Sequence, residues 1–207
     1  MTLRKKLWIT IACLSVILCT LVTGTIAWLT DKTTEITNTF TPSNIDVELV
    51  EENHGTDYKF KMIPGKTYVK DPKVTVSTDI PCYVFVKVEE NLGAWAGEGN
   101  FSDFFTYSVR TGNNDWTAVP GTTGVYYIEA TANTEKYILT GGTGEYLNGQ
   151  IIVKGDTVTK AMMDKLYVQN AVKPTLTFTA YACQKEGFDT PAAAWEVAKT
   201  TPNPTNP

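Results

Sequence analysis

Apolar and polar residues alternate along the chain from residue 45 onward. Ile45, Val47 and Leu49 are separated by acidic residues, which gives the two-residue period of a strand with one buried face. The strongest alternation covers residues 82–89. Further strands are predicted around Val74 and Val76 and over residues 104–110, 125–130, 136–140, 150–153 and 174–184.

Turn-forming pairs such as Pro64-Gly65 and Pro120-Gly121 separate these strands. Two short helices are predicted among them. Thr159 can cap a helix over residues 160–167, and Thr190 followed by Pro191 can open a helix that continues over residues 192–199. Many short strands with few helices indicate an all-β fold, an antiparallel β-sandwich or barrel.

The N-terminal segment has the order of a secretory signal. Arg4, Lys5 and Lys6 precede a run from Leu7 to Ala27 without a charged residue. Because a helix rises about 1.5 Å per residue, this run would span roughly 31 Å, which suits an anchor as well as a signal. The length of the run therefore leaves both readings open.

The junction TGTIAWLTD, residues 23–31, favours cleavage. Ala27 is small and Thr25 is of modest size, and this spacing fits the pattern that a signal peptidase accepts. A stop-transfer helix would normally be followed by several Lys or Arg, whereas Asp31 comes first here and Lys32 stands alone. The sequence predicts a cut between Ala27 and Trp28, with a retained anchor as the alternative.

Charge and length limit which classes of protein cleavage could release. The signal contains three of the 18 basic residues and none of the 22 acidic ones, so the net charge would change from −4 to −7. An acidic chain without clustered Lys and Arg argues against nucleic acid as a partner. We expect an exported protein with one domain, which contacts the membrane only before cleavage.

Two cysteines, Cys82 and Cys183, remain after the predicted cut. Two cysteines make no disulfide scaffold, but an exported chain could form one bridge between them. Both lie in predicted strands, where a buried inert thiol or a bridge is more usual than a reactive thiolate. Their side chains could also lie on opposite faces, which would prevent the bridge.

Motifs for catalysis or metal binding are missing from the sequence. His54 is the only histidine, so the paired histidines of a zinc protease cannot be built. Glu51, Glu52 and Asp57 form an acidic loop without the spacing of a calcium site. We therefore expect no enzyme, no metal and no cofactor.

Several motifs together resemble a known family. They are MIPGK at residues 62–66, KDPKVTV at 70–76, the TGTIAWLTD junction, the strand PCYVFVKV at 81–88 and the block LTFTAYACQKEGFDTPAAAWEVA at 176–198. In these segments the chain is similar to the TasA/camelysin (CalY) family of exported proteins from Gram-positive bacteria, whose signals are removed by SipW-type signal peptidases. The resemblance covers nearly the whole chain.

This resemblance implies a jelly-roll β-sandwich and a secreted role as a subunit of biofilm-matrix or cell-surface fibres. The expected organisation is a signal peptide (1–27), an N-terminal extended segment (28–40), a jelly-roll domain (41–200) and a disordered or extended Pro/Asn-rich tail (201–207). Expected partners are further copies of the chain, a SipW-type peptidase and other matrix proteins. Some relatives carry a metallopeptidase label, which the missing ligands do not support here.

Residues 28–40 are a candidate donor strand for fibre assembly. Five of these 13 residues are threonine, and Trp28, Ile36 and Phe40 share one phase of an extended strand. Such a segment could add to the open sheet edge of a neighbour once the signal is removed. The alternatives are that it forms the first strand of its own domain or a flexible leader.

Two other functions stay open at this point. The first is a monomeric surface adhesin or carbohydrate-binding module that uses the loop 91–103, where Trp95 is expected to be exposed near Phe101. The second is a camelysin-like metallopeptidase.

Overall fold

A computed structural model describes residues 3–6, 8, 10, 11, 13, 44–51 and 61–200. The chain falls into two compact units, Met1–Thr41 and Pro42–Pro207. In the first unit the described residues are helical. No helix among the described residues is long and apolar enough to cross a membrane. Several predicted features lie outside the described residues. They are most of the signal with its cut between Ala27 and Trp28, the donor residues Trp28, Ile36 and Phe40, the loop with His54, and the tail 201–207.

Strands dominate the second unit. Their bounds, with those of three short helices, are β1 Ile45–Glu51, β2 Thr67–Val69, β3 Pro72–Thr78, β4 Cys82–Asn91, α1 Phe101–Phe104, β5 Phe105–Thr106, β6 Thr117–Ala118, β7 Val125–Ala130, β8 Thr134–Tyr137, β9 Gln150–Val153, α2 Lys160–Lys165, β10 Thr175–Gln184 and α3 Pro191–Ala198. Single 3-10 turns lie at Gly93–Trp95 and Gly144–Tyr146.

These strands form three sheets with antiparallel neighbours. Their orders are β1-β3-β8, β10-β4-β7-β6 and β2-β9-β5. The first two sheets share a core in which Val74 and Val76 of β3 meet Val84 and Val86 of β4. The expected all-β antiparallel sandwich is therefore confirmed.

The central strand β4 is buried on both faces. Cys82, Val84 and Val86 face the shared core, whereas Tyr83 and Phe85 point the other way. Helix α3 covers that outer face by packing Ala194, Trp195 and Ala198 against it. Thr190 caps this helix by accepting a hydrogen bond from the Ala193 N–H at 3.2 Å, as the sequence predicts.

A second apolar core lies beside the third sheet and includes Trp95, Phe101, Phe105 and Met162. The expectation of an exposed Trp95 is wrong, because its ring is fully buried and Phe101 is only 5% exposed. Gly93 lets the loop approach this core closely: its φ is +55°, and a Cβ there would lie 2.3 Å from the Val172 carbonyl oxygen.

Some element bounds differ from those predicted. The strand expected over 104–110 is reduced to Phe105–Thr106: Phe104 belongs to α1, and Val109 forms only an isolated bridge with Leu139. Asn100 opens this helix by donating its N–H to the Asp103 carboxylate at 2.7 Å. The strand expected over 136–140 is Thr134–Tyr137, and the helices capped by Thr159 and Thr190 end at Lys165 and Ala198. The expected count of two helices omits α1.

Candidate functional site

The best candidate for a functional surface is one open side of the sandwich, bordered by β1 and β10. Within the described residues, β1 pairs only with β3 and β10 pairs only with β4. The two strands belong to different sheets but contact each other. We call the apolar strip between them the seam; it consists of Ile45, Val47 and Leu49 of β1 with Leu176, Phe178 and Ala180 of β10.

The sequence places these six side chains on one face. In β1 the apolar positions alternate with Asp46 and Glu48, which are exposed. In β10 the seam residues alternate with Thr175, Thr177 and Thr179, and β-branched threonine suits an extended strand. In each strand the apolar side chains therefore face inward, and the polar side chains face away from the seam.

Burial falls from the centre of the sandwich to the seam. Val47 lies opposite Val76, and Ala180 lies opposite Val86. Val76 and Val86 are fully buried, whereas Val47 and Ala180 are only half-buried. The seam residues are incompletely covered because, among the described strands, each edge strand is hydrogen-bonded to a neighbour on one side only.

A small cavity of about 140 Å³ adjoins the Thr175 end of β10. Leu176 of the seam lines it together with Phe101, Phe105, Ile151 and the Lys70 side chain. An extended segment that lay along β10 could therefore place one apolar side chain beside this cavity.

The seam combines two features that strand addition requires, an edge strand and an apolar strip. The unpaired side of an edge strand presents N–H and C=O groups that an added strand can satisfy, while alternate side chains of that strand enter the apolar strip. The ten residues of β10 extend over roughly 33 Å, so a segment as long as residues 28–40 could follow the whole edge. The sequence motifs give no sign of this seam, since it arises where two distant strands meet.

The predicted bridge between Cys82 and Cys183 is absent, because both cysteines are free. Antiparallel pairing does bring the two strand ends together, but Cys82 lies opposite Gln184 and Cys183 lies opposite Tyr83. Since side chains alternate between faces, Cys82 enters the shared core and Cys183 packs on the outer face near Ala194. Burial raises the pKa of both thiols, which favours their protonated forms.

Other predicted site residues do not form a common site in the described part of the chain. Of the acidic loop, only Glu51 is described, and its carboxylate accepts hydrogen bonds from Lys70 and from the backbone of Asp71. Within the described residues no group of three His, Cys, Asp or Glu is arranged to hold a metal ion. Trp95 and Phe101, the proposed contacts of an adhesin loop, belong to the second core.

Comparisons of the chain with protein-family models, with curated proteins and with solved structures found no match. The resemblance to the TasA/camelysin family therefore depends on the sequence motifs alone and stays a prediction.

Proposed function

We propose that this chain is a secreted structural subunit of extracellular biofilm-matrix or cell-surface fibres. Subunits join head to tail when residues 28–40 of one copy, freed by a SipW-type signal peptidase, add as a strand to the seam of the next. We also propose that the strands are connected as in a jelly roll and that the chain is related to TasA-type fibre proteins. The chain acts in it as a building unit rather than as an enzyme.

The observation that carries this proposal is the seam itself. It combines a ten-residue edge strand, β10, with half-buried apolar side chains from both sheets. A strand added there would bury apolar area, and burial stabilises association by about 25 cal/mol per Å² before the entropy of ordering is subtracted. In the segment 28–40, the apolar residues Trp28, Ile36 and Phe40 share one face of an extended strand and match the apolar strip of the seam.

Electron microscopy of purified residues 28–207 tests the assembly. We expect fibres at high protein concentration and in mild acid. Monomers alone under all of these conditions would refute the fibre function.

Deletion of residues 28–40 tests the donor role separately. We expect the deletion to abolish fibres while circular dichroism and the unfolding midpoint of the domain stay unchanged. Fibres that persist unchanged after the deletion would remove the donor role but would leave a fibre subunit that assembles through another surface.

The N-terminal residue of the exported protein tests the cleavage step. We expect Trp28, as read by N-terminal sequencing. A start that lies well beyond residue 28 would remove apolar residues of the donor strand and contradict the proposed assembly. Retention of the whole N-terminal segment would also contradict it.

A further inference from the structure

A lysine and a glutamate meet inside the protein at the end of β1. The Nζ atom of Lys70 donates a hydrogen bond to Oε2 of Glu51. Their side chains are only 15% and 6% exposed. The ring of Phe178 lies 5.7 Å from the same Nζ atom. The pair is therefore largely shielded from water and lies beside an aromatic ring, and separated charges are costly where water is excluded.

The strand register fixes this meeting. Glu51 lies opposite Pro72 in the pairing of β1 with β3, and Lys70 precedes Pro72 by two residues. Lys70 and Asp71 form the two-residue connection between β2 and β3, which brings both residues to the end of β1 at Glu51. The Asp71 N–H donates a hydrogen bond to the other carboxylate oxygen, Oε1, at 3.1 Å.

We propose that Lys70 and Glu51 are joined by an amide bond between Nζ and Cδ, an intramolecular isopeptide crosslink. The ammonium first passes a proton to Oε2, which leaves a neutral amine beside a carboxylic acid. The amine nitrogen then attacks Cδ, and the negative charge that develops on Oε1 is stabilised by the Asp71 N–H.

The products follow from the same atoms. The bond between Cδ and Oε2 breaks, and Oε2 leaves as water after it takes a second proton from the nitrogen. One ammonium and one carboxylate thus become one amide and one water molecule. No oxidant, metal or cofactor takes part.

Two other lysine–glutamate pairs provide an internal comparison. Lys165 contacts Glu98 with side chains 46% and 38% exposed, and Lys185 contacts Glu129 with side chains 42% and 46% exposed. Water reaches both charges there, so neither pair has the water-shielded surroundings of Lys70 and Glu51. We expect the crosslink at Lys70 and Glu51 and at neither exposed pair.

The crosslink would tie β1 to the connection between β2 and β3. Among the described residues β1 is held in its sheet by β3 alone. If residues 28–40 join subunits, as proposed above, tension enters the domain at β1, and a covalent bond passes that tension to the interior. This mechanical role rests on the proposed function, whereas the bond itself forms in a single chain.

Mass spectrometry of the denatured full chain tests the bond. We expect an intact mass that is lower than the sequence from the observed N-terminus by one water molecule. Protease digestion should give a branched peptide that joins the segments containing Glu51 and Lys70, and no free form of either segment. An intact mass that equals the sequence mass, with both segments recovered as separate peptides, overturns the proposal.

The Lys70→Arg variant is the control, since it keeps the positive charge but lacks the amine. We expect its intact mass to equal its sequence mass. An equal loss of water from this variant would place the dehydration elsewhere and overturn the crosslink. Monomers give the same readout as fibres, so the result does not depend on whether the protein assembles.

Discussion

At the scale of single residues, Trp95 is held by both its polar and its apolar atoms. Its indole N–H donates a hydrogen bond to the Met162 carbonyl oxygen at 2.8 Å. The ring stacks on Phe105 with centroids 5.8 Å apart and meets Phe104 edge-on at 5.6 Å. Because Met162 belongs to α2, this one side chain links the loop at residues 93–95 to a helix far along the chain.

Replacement of Trp95 by alanine should strongly destabilise the protein. Truncation of a buried aromatic side chain typically costs about 3–5 kcal/mol of unfolding free energy through lost burial and a residual cavity. Denaturant unfolding monitored by circular dichroism measures this loss. The exposed Tyr167 is the control, and its replacement by alanine should change stability by less than about 0.5 kcal/mol. Equal effects of the two substitutions would contradict the buried position of Trp95.

The Cys183 thiol should resist ionisation in the folded protein. Burial, and secondarily the nearby Cys82, raises the pKa of Cys183 from 9.0 to about 11. The folded state thus keeps the proton to higher pH than the unfolded state, so this group stabilises the fold below about pH 9 and loses that contribution as pH rises to about 11.

Alkylation by iodoacetamide, followed at Cys183 by mass spectrometry, measures this difference. We expect the rate in the native protein to rise with a midpoint near pH 11, and the rate in the denatured protein to rise near pH 9. A common midpoint in both states would show that the native thiol is not shielded.

At the scale of secondary-structure elements, β10 contributes to two surfaces that differ in burial. Leu176, Phe178 and Ala180 face the seam, while Tyr181 and Cys183 pack on the outer face near Trp195. Tyr181 and Trp195 meet edge-on with centroids 5.2 Å apart. Helix α3 therefore fixes one face of β10, and the seam residues on the other face remain half-covered.

A charge in the seam should block assembly if the domain remains folded. We expect Ala180→Arg to prevent fibres, because an added strand would bury the new charge without a partner. Thr177→Arg places the same charge on the other face of β10 and should leave fibres intact. Electron microscopy compares the two variants, with circular dichroism as the check of folding. Fibres formed equally well by both would exclude the seam as the acceptor.

At the scale of the whole molecule, the sandwich combines well-buried cores with one incompletely covered side. Aromatic and aliphatic side chains from most strands are buried in the shared core, in the second core, and between the outer face of β4 and helix α3. At the seam two edge strands of the described sandwich, β1 and β10, present half-buried apolar residues side by side. In the proposed assembly each subunit has one donor segment and one acceptor seam, which gives the fibre a direction.

A subunit without residues 28–40 should therefore terminate growing fibres. It keeps the seam and can accept a donor segment, but it offers none to the next copy. We expect small amounts of this variant, mixed with residues 28–207, to shorten the fibres in proportion to its share. Fibre lengths measured by electron microscopy give the result. If the deletion is combined with Ala180→Arg, the subunit loses both functions and should leave fibre lengths unchanged.

The sequence by itself determined where the main strands and two helix starts lie. Its two-residue period predicts β1, β4, β7, β9 and β10, because alternate side chains of a strand face opposite sides. Thr159 and Thr190 mark helix starts because a cap acts on N–H groups only a few residues away. The short strands β2 and β6 escape prediction, since they are defined by hydrogen bonds to distant partners.

The tertiary structure alone decided which residues meet. The seam depends on β1 and β10 lying side by side although more than a hundred residues separate them. The same holds for Trp95 in the second core and for the opposite faces of Cys82 and Cys183. The contact of Lys70 with Glu51 likewise follows from strand register. Local sequence encodes which face of an element is apolar, but strand pairing across the fold decides what that face contacts.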